Sequence, residues 1–322
     1  MSDLSNSQTD RPKVQIKTIT ENHHEQRIDN YLLAILKGVP KSRIYNLLRK
    51  GEIRVNKKRV KPNTRLYIGD IVRIAPIVVE EKVSATVPTN LIDLIESRIV
   101  HEDNNLIIVN KPSGIAVHGG SGLSFGLIEI IRQLKDKEKS LELVHRLDRD
   151  TSGLIMIAKK RSVLKQLHAA LREKNNVQKT YQALVFGNWP KRKLQVNMPL
   201  LKNELKSGER LVKVHPDGKE SLTRFKLLRQ FDGYSLIECE PVTGRTHQIR
   251  VHTQHAGHSI VGDEKYASTE QNKNAKQLGF KRLCLHASRL ELVLGEEKLI
   301  VEAPIDEEWR YAMNNNLTDI HG

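Results

Sequence analysis

The chain reads as an α+β protein in two parts: a small cation-rich module of two helices and a hairpin, then a larger β-rich domain. Three observations lead there. Its 322 residues, 38% of them hydrophobic, can fill two cores. The apolar runs of the larger part do not repeat as strand, helix, strand, as a doubly wound parallel sheet would require. Finally, Lys and Arg outnumber Asp and Glu by 53 to 38, giving a formal net charge of +15, and the densest part of that excess lies in one short stretch near the N-terminus.

The elements follow in chain order. Residues 1–13 are polar and mixed in charge and are expected to form a disordered tail. With no apolar segment in that run, no secretory signal is expected, and the protein is placed in the cytoplasm. A first domain is assigned to residues 14–76. Its first helix covers Ile28 to Leu36, with Ile28, Leu32 and Ile35 on one face. A second helix begins near Ser42, carries Ile44, Leu47 and Leu48 inward, and stops at Gly51. A hairpin runs from Ile53 and Val55 through a turn at Asn56–Lys57 to Val60, and a last strand covers Ile71 to Ile74. Residues 77–90 read as a linker. A second domain takes residues 91–310, with strands at Leu106–Val109, Leu154–Ala158, Tyr181–Phe186, Phe225–Leu228 and Leu236–Glu240. Helices are expected at Val163–Glu173, capped by Ser162, and at Thr246–Ala256. Residues 311–322 are assigned to a C-terminal tail, frayed from Asn314 on.

Between Lys41 and Lys61 stand Lys41, Arg43, Arg49, Lys50, Arg54, Lys57, Lys58, Arg59 and Lys61, against the single acid Glu52. A solvated helix face usually mixes signs. A one-signed row on a small module suits a polyanion, because each phosphate contact releases condensed counterions. The strongest apolar stretch, Ile71 to Val79, contains Arg73 and Pro76 and falls far short of the ~18 residues of a spanning helix. Cys239 and Cys284 match no metal spacing and read as small core residues in a reducing compartment. His247, His252, His255 and His258 form no His-Glu-x-x-His pattern, so no metal is expected. Gly119-Gly120-Ser121-Gly122 lacks the Gly-Lys-Ser/Thr of a phosphate cradle and reads as a flexible loop.

Four runs carry chemistry. His145-Arg146-Leu147-Asp148-Arg149-Asp150-Thr151-Ser152-Gly153 wedges charges between apolar strands, which is either an ion-pair knot or a tuned carboxylate site. In Val242-Thr243-Gly244-Arg245-Thr246-His247-Gln248-Ile249-Arg250-Val251-His252 a strand ends, Gly244 turns and a helix begins. That puts Arg245 at the mouth of the sheet, where it is either a surface arginine or a clamp for a carboxylate or phosphate. Lys111-Pro112-Ser113-Gly114 is by itself a turn signal. Tyr181, in Lys179-Thr180-Tyr181-Gln182-Ala183-Leu184, is either a core ring or a platform for a base.

Together these runs resemble the RluA family of pseudouridine synthases, which carries His-Arg-Leu-Asp-x-x-Thr-Ser-Gly around its aspartate. Gln26-Arg27-Ile28-Asp29 and Gly51-Glu52-Ile53-Arg54-Val55-Asn56 resemble the S4 RNA-binding domain. The likeness runs from about residue 15 to 310. Val144 to Gly153, Ala116 to Gly122 and Leu36 to Tyr45 are most similar to the branch that modifies large-subunit (23S) ribosomal RNA. Where the family usually has glycine after the tyrosine of Lys265-Tyr266, this chain has Ala267.

The resemblance implies an S4-like domain before a mixed, largely antiparallel sheet of pseudouridine synthase type. It implies isomerisation of uridine in 23S ribosomal RNA by a monomer, without metal or other cofactor. Asp148 would act at the ribose, attacking C1′ or removing the C2′ proton. Arg245 would hold Asp148 ionised, Tyr181 would lie beside the uracil and help move the C5 proton, and Lys111 would support the site electrostatically. The uridine must leave its stack. Arg146 is then either a wedge in the vacated space or a salt-bridge partner of Asp150, and Asp150 a buried partner of Arg149 or Arg146. Lys41, Arg43, Lys57, Lys58 and Arg59 would grip phosphates. A non-catalytic S4-type RNA-binding or ribosome-assembly protein is the rival, and it leaves Asp148, Tyr181 and Arg245 without a shared purpose. A methyltransferase would need a cofactor loop that the sequence does not contain.

Overall fold

The computed structural model describes residues 13–36, 38–77, 87–119, 125–138, 140–192, 194–204 and 210–320. Residues 1–12 of the expected N-terminal tail, most of the expected linker and the centre of the glycine loop lie outside those residues. The chain divides into two compact units, one ending at Thr86 and one starting at Val87.

The first unit is built from β1 (Gln15–Thr18), α1 (Ile28–Ile35), α2 (Lys41–Lys50), β2 (Arg54–Val55), β3 (Lys58–Arg59) and β4 (Ile71–Ile74). Its sheet runs β1-β4-β2-β3, all antiparallel. Ile28, Leu32, Ile44, Leu48, Ile53, Val72 and Ile74 fill its core. Gly51 ends α2 in the left-handed conformation (φ 73°), which glycine adopts without a side-chain penalty. Asn56 and Lys57 both have positive φ (48° and 66°) and make the tight hairpin turn between β2 and β3.

The second unit opens with α3 (Thr89–Glu96), β5 (Ile99–Glu102), β6 (Leu106–Lys111), α4 (Leu127–Leu134), β7 (Glu142–Leu143), β8 (Ser152–Ala158), α5 (Arg161–Glu173) and β9 (Val177–Phe186). It continues with β10 (Gln195–Asn197), β11 (Leu200–Glu204), β12 (Arg210–Val214), β13 (Leu222–Phe231), β14 (Tyr234–Pro241) and α6 (Gln248–His255). It closes with α7 (Thr269–Gln277), β15 (Leu285–Leu294), β16 (Glu297–Glu302) and α8 (Glu307–Asn316). The main sheet runs β10-β13-β14-β9-β15-β8-β6-β5, with β16 on β15 and β7 on β8. It is mixed but largely antiparallel: β8 against β15 is its parallel pair. Strands β6 and β8 are covered on both faces, so they read as unbroken apolar runs. Ile107, Val109, Ile155 and Ile157 pack toward Ile128 and Ile131 of α4. Their alternating neighbours Leu106, Ile108, Leu154 and Met156 pack toward Leu164 and Leu167 of α5.

Three expectations about element ends are corrected. Residues 311–320 are no tail: α8 runs to Asn316, Ala312 and Met313 are buried beside Trp309, and Asp319 bridges to Phe231. The polar Asn314-Asn315-Asn316 hid that amphipathic face. Residues 87–90 belong to the second unit rather than a linker, since Val87 is in its core and α3 starts at Thr89. The residue before α5 is Lys160, and Ser162 lies inside the helix.

Candidate active site

Asp148 sits on a tight turn just before β8, closed by the Thr151 N–H donating to the Asp148 carbonyl at 3.2 Å. The Lys111–Gly114 run is the floor beneath that turn. Gly114 N–H donates to the Arg149 carbonyl (3.0 Å), and Ser113 Oγ donates to the Asp150 carbonyl (2.7 Å). The Lys111 ammonium is fully buried and donates to the carbonyls of Pro112, Ile115 and Arg149, each at 2.9 Å. Burial pushes its pKa down to about 7, against the opposing pull of Asp150 and Asp148. Lys111 therefore acts on the site as a staple for the aspartate turn.

Register brings the next groups together. Ala287 of β15 pairs with Gly153 on one side and Tyr181 on the other, and Tyr181 pairs onward with Cys239. Tyr181 and the end of the aspartate turn are thus two strands apart, roughly 10 Å at about 4.8 Å per strand. Gly153 is required there. Its φ is +107°, and a β-carbon would collide with the backbone of Ala287. Tyr181 is 7% exposed, and burial, helped by Asp148, pushes its phenol well above the usual range.

The cation on Asp148 is Arg250, and the expected Arg245 is corrected accordingly. Arg250 Nη1 donates to Asp148 Oδ2 at 3.1 Å, while its Nε and Nη2 grip Asp263 bidentately at 2.8 Å each. Burial opposes the guanidinium charge, but the bonds to Asp263 and Asp148 outweigh it and hold Arg250 above its ordinary value. The guanidinium lies 5.1 Å from the Tyr266 ring centre. His247 joins the group with Nε2 3.7 Å from Asp148 Oδ2 and Nδ1 2.7 Å from the Tyr266 hydroxyl. Burial lowers its pKa, and Asp148 pulls the other way. Arg245 stays exposed on the rim, its Nε donating to the Glu220 carbonyl.

Arg250, Asp263, His247 and Tyr266 were missed as site residues, although the runs holding Arg250, His247 and Tyr266 were singled out. The available signal was helical: α6 is buried from Gln248 to Thr253, and an arginine between Ile249 and Val251 on such a helix needs an acid. Asp150 pairs with Arg149 as one alternative held, but both side chains are largely exposed (44% and 58%), so it is not buried. Arg146 is exposed at the cleft wall.

Asp148, Tyr181, Arg146, Arg245, His247 and Arg250 line one cleft of about 1040 Å³. Among the described residues no three His, Cys, Asp or Glu side chains converge as a metal ion would need. His252 is held by Thr223 and Ser221, and His258 lies on the Phe186 carbonyl. In the first unit Lys41, Arg43, Lys57, Lys58 and Arg59 are all exposed. A groove of about 860 Å³ there is lined by Arg43, Tyr45, Arg49, Arg59 and Lys61.

Comparison with known proteins agrees with this division. Residues 105–255 match the RNA pseudouridylate synthase family, and residues 26–72 match the S4 domain. The chain is 54% identical over 301 residues to "Ribosomal large subunit pseudouridine synthase C" of Pasteurella multocida (strain Pm70), covering 92% of each chain. It is 52% identical over 305 residues to the protein of that name from Escherichia coli (strain K12), covering 93% of this chain and 95% of the relative. Among solved structures, human RNA Pseudouridylate Synthase Domain Containing 4 is similar with a TM-score of 0.58 and 26% identity, over 70% of this chain and 95% of that one. Human RNA Pseudouridylate Synthase Domain Containing 1 shares the fold, with a TM-score of 0.56 and 24% identity over 69% of this chain and 88% of that one.

Proposed function

The chain belongs to the RNA pseudouridylate synthase family, and we propose that it isomerises specific uridines of large-subunit (23S) ribosomal RNA to pseudouridine. The observation that carries this is the Asp148 carboxylate in an open cleft, 3.1 Å from an arginine that Asp263 already holds bidentately. A chain of that kind fixes where the carboxylate oxygen points before substrate arrives.

In the reaction the N1–C1′ bond breaks, the uracil turns, C5 bonds to C1′, and the C5 proton is lost while N1 gains one. Asp148 faces the ribose and either attacks C1′ or removes the C2′ proton. Arg250 holds its carboxylate, with His247 Nε2 3.7 Å away. Tyr181 lies beside the uracil, and a phenol held well above its usual pKa serves there as a neutral contact rather than a phenolate base for C5. Arg146 fills the space of the flipped nucleotide, Arg245 meets the RNA at the rim, and Lys111 keeps the aspartate turn in place. The net change is an isomerisation, and we propose a monomer that works in the cytoplasm without metal or other cofactor. Lys41, Arg43, Lys57, Lys58 and Arg59 of the S4 domain grip phosphates.

The test is to incubate the pure protein with unmodified ribosomal RNA in excess chelator and map pseudouridines. Sites that match those lost from ribosomal RNA when the gene is deleted support the reading. RNA bound but left unmodified would favour the non-catalytic alternative.

A further inference from the structure

The cleft does not end at the reacting groups. It continues from Tyr181 past Lys179 and His145 to the C-terminal end of α5, where Arg172 and Lys174 line it. Lys179 is a cation of this cleft that the chemistry above leaves unused. It stands two residues before Tyr181 on β9, so both project from one face of the strand, about 6.6 Å apart along it. Tyr181 pairs with Cys239 of β14, but β14 does not pair with β9 beyond that point, which leaves this end of β9 open on that side.

The surroundings give the Lys179 ammonium nothing to hold. Among the described residues no hydrogen bond or ion pair reaches it. The carboxylates that line the cleft are committed elsewhere: Asp148 to Arg250, Glu240 to Arg224, and Glu291 to Arg289 and Lys298. Burial lowers the Lys179 pKa, with no acid to offset it. His145 beside it is pushed down to about 3 by burial and then by Lys179, and its Nε2 faces the Met156 N–H at 3.2 Å, so it stays neutral. A half-buried, uncompensated ammonium costs stability. It is suited to a ligand that brings the missing anion, and a lysine meets a phosphate as a point charge.

We propose that Lys179 binds one backbone phosphate next to the flipped uridine, and that the RNA strand leaves the site along this arm of the cleft toward Arg172 and Lys174. This rests on the reading that the protein acts on RNA uridines. In that substrate the anions are phosphates.

The test uses the full chain and a ribosomal RNA fragment in which wild type forms pseudouridine, with single phosphates around the target replaced by neutral methylphosphonates. One replacement should raise KM about tenfold for wild type. Lys179→Met should raise KM to a similar extent on unmodified RNA and be indifferent to that same replacement. Its kcat should stay within about threefold, and its slope of log affinity against log salt should flatten by about 0.7. Lys179→Arg should recover most of the affinity. The Tm of Lys179→Met should equal or exceed that of wild type, because a half-buried charge without a counterion is gone. A fall in kcat at unchanged KM would put the ammonium on the reacting base and overturn the proposal. Additive losses at every methylphosphonate, or a lowered Tm, would do the same. A wild type that forms no pseudouridine in any ribosomal RNA would overturn the function itself, and this subsite with it.

Discussion

Arg250 serves two acids of unequal need. Asp263 is fully buried, whereas Asp148 keeps 31% of its side chain exposed toward the cleft. Removing the arginine strands Asp263 in the interior, which typically costs 3–5 kcal/mol. Arg250→Met should therefore lower the Tm of the second unit by roughly 6 to 20 °C and abolish pseudouridine formation. Arg245→Met takes away an exposed side chain bonded to the Glu220 carbonyl. It should leave Tm within about 2 °C and act on RNA affinity instead. Thermal melts of the two variants side by side decide this, and equal Tm losses would refute the assignment of the buried clamp to Arg250. Asp148→Asn keeps an oxygen for the Arg250 bond at 3.1 Å but loses the charge and the nucleophile. It should bind ribosomal RNA almost as wild type while losing on the order of 10³-fold or more in turnover. Near-normal turnover by that variant would remove Asp148 from the chemistry.

Elements were legible in the sequence where a periodic apolar pattern met a clear stop. Ile44, Leu47 and Leu48 ahead of Gly51 marked α2, and Leu154–Ala158 marked the apolar part of β8. The aspartate and tyrosine runs were legible because charged or aromatic groups sat between core strands. What stayed hidden depended on tertiary partners. Arg250 could not be ranked over Arg245 without knowing that α6 is buried and that Asp263 faces it. Lys111 could not be seen as a staple until its three carbonyl partners came together. The β2–β3 hairpin was legible in full, and it makes a prediction of its own. Lys57, Lys58 and Arg59 are exposed on a turn whose positive φ at Lys57 glycine can also supply. Lys57→Gly combined with Lys58→Ala and Arg59→Ala should thus keep the fold. For every phosphate that the hairpin no longer grips, the plot of log affinity against log salt should flatten by roughly 0.7 to 0.9. The saturated rate on a short substrate should hold near wild type. Unchanged salt dependence in this triple variant would mean that the hairpin grips no phosphate.

The whole molecule carries a formal charge of +15, and its second unit buries histidines that acid would charge further. His286 is 0% exposed between Ser152 Oγ (2.9 Å) and the Ala303 carbonyl (3.1 Å), and it links β8 and β15 to the segment after β16. Burial pushes its pKa down to about 4, and burial likewise lowers His145, to about 3, as well as His247 and His252. The unfolded chain takes up the His286 proton near pH 6.5, while the folded chain resists it to about pH 4. The stability tied to a neutral His286 is therefore complete above about pH 6.5 and is lost as pH falls toward 4. At pH 5.5 that loss is on the order of 1 kcal/mol for His286 alone, and the other three act in the same direction. Net-charge repulsion also grows in acid, but salt screens it, whereas a proton deficit at a buried ring is screened far less. Tm should accordingly fall between pH 7 and 5 in both low and high salt, and His286→Gln, though less stable at pH 7, should show a shallower fall. A Tm that holds flat to pH 5 in high salt would mean that charge repulsion, and not the buried histidines, governs the acid limit of this fold.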